Sequence, residues 1–333
     1  MLLRFAGVLL CCGALFSAEV TPGPAPAEVY VKSFDAAYIA TAIRKPPNPG
    51  PLPAILFIHG GVGGGDMPAM KASTRQPILE HFYKLGYVVM SADYRRYHFG
   101  EDEIQDILAA YRKLESYPFV DKSRIAIIGG SHGGYLALML ASRIPLSAVV
   151  SMAGLVDIED MFFDYAQEFR KTLKDFDDWR EKLVARAATR PNAPDTAWGK
   201  IPKGAQAALP AAGTPAYQLE IELAWRFGDR RELYRAIAPK DNAARITCPV
   251  LFVVGGEDKL RFAGKALIDD LKARGVTADY SEHAGMPHGF YTGLASQPPQ
   301  YFDALKAMTA FVERHLNRKV GQASWPVFCG ISE

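Results

Sequence analysis

Gly129-Gly130-Ser131-His132-Gly133 sets one hydroxyl between two glycines in the G-x-S-x-G spacing, which suits a serine raised out of a sharp turn. The apolar run Arg124–Ile128 precedes it and the helical run His132–Ser142 follows, so the pentapeptide occupies a strand-to-helix turn. A side chain at Gly129 or Gly133 is expected to crowd the strand and helix that meet there. A serine hydroxyl is a weak nucleophile at neutral pH, so this chemistry requires a base and a third group to orient that base.

The base is expected after the serine in the chain. His288 lies in Gly285-Met286-Pro287-His288-Gly289-Phe290, beyond the strand-like run Val276–Ser281 and before a helix over Tyr301–His315. It is favoured over His283, five residues upstream, because glycines and a proline build a loop around it. His59, His81, His98 and His315 precede the serine or sit in helices, and are read as structural or solvated. For the acid, the apolar run Val250–Val254 ends in Gly255-Gly256-Glu257-Asp258. Asp258 is chosen, with Glu257 as the alternative.

Attack on a carbonyl also needs donors for the developing oxyanion. Gly60 and Gly61 follow His59 at the end of the run Ala54–Ile58, and the backbone N–H of His132 supplies a further donor. The glycine-rich stretch 60–66 is not read as a phosphate loop, since it has no G-K-[ST] and Asp66 stands where a third fingerprint glycine would fall. No C-x-x-C or H-E-x-x-H spacing is present, so no metal or other cofactor is expected.

These residues need a scaffold. Apolar runs at 54–58, 87–91, 124–128, 147–151 and 250–254 suit strands buried on both faces, and helical segments at 76–85, 103–114 and 132–142 alternate with them. Short opening strands are expected at 29–31 and 38–43. The pattern predicts an α/β fold with a mostly parallel, doubly wound sheet. Residues 155–238 break the rhythm. There, Phe162, Tyr165, Phe169, Leu173, Phe176 and Leu183 recur at helical spacing and Tyr217–Phe227 reads as another helix, together a helical cap inserted over the site. The aromatic stripe is read first as packing for that cap.

At the N-terminus, Arg4 precedes an apolar run and small residues, the layout of a signal peptide over 1–18, followed by a proline-rich spacer over 19–27 and one catalytic domain over 28–333. The expectation is a secreted or periplasmic protein with no membrane contact beyond that leader. Cys248 and Cys329 remain after cleavage, and the sequence leaves their pairing open. The 333 residues include 38 basic and 36 acidic side chains, a net charge of +2 that offers no footprint for nucleic acid.

With those residues in hand, the chain resembles the α/β-hydrolase superfamily. Within it, the chain is most similar to the catalytic domain of prolyl oligopeptidase and acylaminoacyl peptidase (peptidase family S9) and to dienelactone-hydrolase-like esterases. The resemblance rests on FIHGG, VDKSRIAIIGGSHGGYLALMLAS, CPVLFVVGGEDKL and PHGF, from Ala54 onward with the cap matching poorly. It implies an acid three residues past Gly255, which is Asp258, and a base before Gly-Phe, which is His288. Two features are expected to set the chain apart from the peptidases: the residues before Val29 are read as leader and spacer rather than as their β-propeller, and His132 stands where many carry Tyr or Asn.

The expected chemistry is hydrolysis of an ester or amide through an acyl-enzyme, with a small-molecule ester preferred and a short peptide as the alternative substrate. A non-catalytic binding protein on the same fold is the alternative from another class.

Overall fold

The computed structural model describes residues 22–61, 67–95, 99–172, 223, 226–292 and 298–317. Its centre is an eight-stranded sheet: β1 (Ala27–Lys32), β2 (Tyr38–Arg44), β3 (Leu52–Ile58), β4 (Val88–Ala92), β5 (Val120–Gly130), β6 (Ala148–Met152), β7 (Val250–Gly255) and β8 (Ala278–His283). The order across the sheet is β1-β2-β4-β3-β5-β6-β7-β8. β1 and β2 form an antiparallel border and all neighbours from β4 to β8 run parallel. Each expected strand is present, within a few residues of its expected ends.

Why the centre is parallel follows from burial. Every residue of β4, β6 and β7 is buried, so these strands need cover on both faces, and helical crossovers provide it. The covering helices are α1 (Met67–Ser73), α2 (Pro77–Lys84), α3 (Glu101–Ser116) and α4 (His132–Ala141). After β6 come α5 (Ile158–Thr172), α6 (Arg231–Ala236), α7 (Arg261–Ala273) and α8 (Pro299–Leu316). α4 lies against β5 and β6 beside α3, whereas α8 covers β5 to β8 from the other side. There it meets α2 through a 2.9 Å hydrogen bond between His81 Nε2 and Thr309 Oγ1. All ten residues of α4 are buried, as befits a helix under the centre of the site, and each large apolar side chain so removed from water contributes about 1.5–3 kcal/mol. Among the described residues, no helix is long and apolar enough to cross a membrane.

The proline-rich stretch differs from a free tether where it is described. Gly23 and Pro24 carbonyls accept from Lys45 N–H and Arg44 Nε–H, and β1 already begins at Ala27. These bonds tie the stretch to β2 through its carbonyls, the only backbone hydrogen-bonding groups that a proline has. The expected leader lies outside the described residues. So does most of the cap, including Leu173, Phe176, Leu183 and nearly all of 217–227.

The two ends of the cap are visible. α5 leaves β6 and α6 returns, joined by Glu159 to Arg231 at 2.7 Å and to Arg235, with Asp157 paired to Lys240. Phe162 packs edge-on to Phe99 with ring centroids 5.9 Å apart, which fits the packing role expected of the stripe. Cys248 is buried, which pushes its thiol up to about 12, and Cys329 lies outside the described residues.

Candidate active site

Ser131 stands between the end of β5 and the start of α4 with φ 52° and ψ −118°, a left-handed conformation that costs a side-chain-bearing residue about 1–3 kcal/mol. Its neighbours enforce that turn. A Cβ on Gly129 would lie 2.1 Å from the Gly133 carbonyl oxygen, and one on Gly133 would lie 2.2 Å from that of Ile58. Helix and strand touch backbone to backbone here, so only glycine fits. The Ser131 N–H donates to the Met152 carbonyl at 2.7 Å, and the next N–H along that strand, from Ala153, donates to Val253 at 2.7 Å. One peptide unit thereby links the serine's perch to β7.

β7 delivers the acid. Asp258 follows Gly255 in a tight turn and is only 5% exposed; its Oδ1 accepts the Leu260 N–H at 2.9 Å. Its Oδ2 lies 2.7 Å from His288 Nδ1, and His288 Nε2 lies 3.0 Å from Ser131 Oγ. A carboxylate accepts, so the facing Nδ1 carries the ring proton and Nε2 turns its lone pair to the serine hydroxyl. The acid turn is stapled to the histidine loop by backbone bonds from Gly256 to His283 at 2.8 Å and from Glu257 to Met286 at 3.0 Å. Ser131, Asp258 and His288 are therefore brought together from the ends of β5, β7 and β8. Glu257 is exposed, and His283 is held within β8 with Nε2 3.0 Å from Ser281 Oγ, so neither takes a place in this chain of contacts.

Gly60 and Gly61 face the serine from the end of β3. A Cβ on Gly60 would lie 2.9 Å from the Gly130 carbonyl oxygen and 3.1 Å from Ser131 Cβ, while Gly61 adopts φ +83°. His132 heads α4, where backbone N–H groups have no partner within the helix and the dipole favours negative charge.

Behind this loop lies a group that the sequence reading did not find. Tyr94, just past β4, points its hydroxyl at the Gly61 carbonyl at 2.9 Å and at the His59 carbonyl at 3.2 Å. Its ring stacks between those of His59, at 4.8 Å, and His132, at 5.2 Å. Each histidine is tied to a carboxylate: His59 Nε2 to Asp93 Oδ1 at 2.9 Å, and His132 Nε2 to Glu103 Oε2 at 2.8 Å. His59 was expected to be merely structural or solvated, yet it belongs to the wall of the site. The position of Asp93-Tyr94 at the carboxyl end of a parallel strand was the signal available, since ligands of such sheets bind at that edge.

The eight-stranded sheet and this cluster at its carboxyl edge define a hydrolase of the alpha/beta type, and the chain belongs to the alpha/beta hydrolase fold family, whose model matches residues 55–292. A curated relative is the uncharacterized peptidase YtmA of Bacillus subtilis (strain 168), 26% identical over 166 residues, which span 45% of this chain and 62% of that protein. Among solved structures, Pyrococcus horikoshii acylaminoacyl peptidase superposes with TM-score 0.58 at 19% identity, covering 88% of this chain and 42% of the other. The Pyrobaculum calidifontis esterase gives TM-score 0.58 at 19% identity, covering 87% of this chain and 84% of its own. At such identities the structural likeness speaks for the fold. The chain spans less than two thirds of the length of YtmA.

Proposed function

We propose that this protein is a serine hydrolase that cleaves small carboxylic esters through an acyl-enzyme on Ser131. Ser131 Oγ attacks the carbonyl as His288 Nε2 takes its proton, and the imidazolium then returns that proton to the leaving alcohol. Water, deprotonated by the same nitrogen, releases the acid and restores the serine. Asp258 keeps the imidazole in the required tautomer and stabilises its charged form. The N–H groups of Gly60, Gly61 and His132 take the developing oxyanion charge.

The reading is carried by one observation, the unbroken line Ser131 Oγ–His288 Nε2 at 3.0 Å and His288 Nδ1–Asp258 Oδ2 at 2.7 Å. A second reading, cleavage of short peptides by the same machinery, is favoured by the peptidase name of the YtmA relative. Steady-state rates on p-nitrophenyl esters and dipeptide amides test the choice, with esters expected to be turned over faster. Labelling by a fluorophosphonate probe tests the nucleophile. Wild type is expected to label and Ser131→Ala to stay blank; labelling that survives the substitution would remove Ser131 from the mechanism. Export is part of the proposal, motivated by the leader-like residues 1–18, and retention of an intact leader on protein recovered outside the cytoplasm would refute cleavage there.

A further inference from the structure

We infer that Tyr94 is a positioning residue that clamps the two halves of the oxyanion-binding wall, the Gly60-Gly61 loop and His132, in one fixed relation to Ser131. The inference rests on the serine-hydrolase reading and extends it to a side chain that touches neither the nucleophile nor its base.

The two sets of donors come from different elements, the end of β3 and the start of α4, and an oxyanion fits only if their separation is held to a fraction of an ångström. Tyr94 is the side chain that engages both. On one side its hydroxyl proton is shared between the Gly61 carbonyl at 2.9 Å and the His59 carbonyl at 3.2 Å. In a trans peptide the C=O and N–H point in opposite directions, so pinning the His59 carbonyl also fixes the line of the Gly60 N–H. On the other side its ring lies nearly parallel to that of His132, at 12° and 5.2 Å, and the Glu103 carboxylate prevents the imidazole from turning away.

The clamp has no slack. Tyr94 is 1% exposed and His132 is 1% exposed, with Phe99 and Tyr135 edge-on to the His132 ring at 4.8 and 5.4 Å. Burial, with the Glu103 and Asp93 charges, pushes the phenol well above its ordinary value, so it stays protonated and remains a donor throughout the working pH range. A buried tyrosine hydroxyl needs an acceptor in any case; what ties this one to the site is that both of its acceptors are carbonyls of the loop beside the nucleophile.

The test is Tyr94→Phe, which keeps the stack and deletes the hydroxyl. With a p-nitrophenyl ester, kcat is expected to fall about tenfold or more while KM stays within about twofold, because an oxyanion donor acts in the transition state rather than on bound substrate. Binding of a trifluoromethyl ketone, which presents an oxyanion once Ser131 adds to it, is expected to weaken by a similar factor. An unchanged kcat and unchanged ketone affinity in folded Tyr94→Phe would overturn the inference, as would a loss that only tracks the folded fraction. Should Tyr94→Phe fail to fold, Glu103→Ala carries the test by removing the acceptor that tethers His132: the same split between kcat and KM is expected, and wild-type kcat overturns the clamp. Fluorophosphonate labelling separates the two levels. If wild type does not label at Ser131, the hydrolase reading has failed; if wild type labels and Tyr94→Phe labels at the same rate, only the clamp has failed.

Discussion

His59 Nε2 lies 2.9 Å from Asp93 Oδ1 while the opposite nitrogen of the same ring, Nδ1, lies 2.8 Å from the Gly60 carbonyl oxygen. Both partners are acceptors, so only the imidazolium, with a proton on each nitrogen, satisfies both contacts, and this setting favours the charged form. Burial lowers its pKa, but the Asp93 hydrogen bond and charge, the Gly60 carbonyl and the Glu103 charge outweigh it, and the net shift is upward from 6.5.

A pH dependence follows with a definite sign. A histidine whose folded pKa is raised stabilises the fold fully below its unfolded value and loses that contribution as pH rises through the folded value. The stability gap between wild type and His59→Gln, measured by urea denaturation, is expected to be widest near pH 6 and to narrow as pH rises. A gap that widens with pH would contradict the imidazolium.

The orienting carboxylate is open to a paired substitution. Asp258→Asn is expected to lower kcat about 10³–10⁴-fold by stabilising the wrong imidazole tautomer. Glu257→Gln, one residue away and exposed, is expected to leave kcat within about twofold. A large effect at Glu257 with none at Asp258 would reverse the assignment.

Backbone contact around the serine makes glycine substitutions costly in different ways. Gly133→Ala drives a methyl into the Ile58 carbonyl, where neither helix nor strand can yield, and is expected to cost about 3 kcal/mol of stability. Gly60→Ala meets the Gly130 carbonyl oxygen at 2.9 Å and Ser131 Cβ at 3.1 Å, a smaller overlap than the 2.2 Å at Gly133 but one that pushes directly on the nucleophile, so it is expected to reduce kcat more than it lowers the melting temperature. Thermal denaturation and ester turnover of both variants distinguish the two.

The foot of the cap should respond to acid. Arg235 and Arg231 hold the Glu159 carboxyl down to about 2. Its contribution is present above the ordinary value near 4.5 and disappears as pH falls through about 2. Wild type is expected to denature at higher urea than Glu159→Gln at pH 6, with the two midpoints converging as pH approaches 2.

The strands were legible because burial on both faces leaves an unbroken apolar run, as in Val250–Val254. The sheet class followed from the helices between them. The choice of His288 over His283 rested on glycines and a proline around one of them, and the structure places that histidine, not the one inside β8, beside the serine. Less visible was α7, whose Leu267, Ile268 and Leu271 carry helical spacing among charges that obscured it. The place of Tyr94 just past a parallel strand was the one signal for it, and its stacking partners were out of reach of local pattern. Glu103 and His132 are 29 residues apart, and only the register of β4 beside β3 brings Tyr94 under the glycine loop.

The peptide unit between Met152 and Ala153 acts as a rivet, accepting from the serine's N–H on one side and donating to Val253 on the other. The perch of the nucleophile therefore has no joint of its own at which to melt. Exchange of the Ser131 and Ala153 amide protons with deuterium is expected only when neighbouring strands part, so heat should abolish turnover and tertiary structure at one temperature, leaving no folded yet inert species on the way.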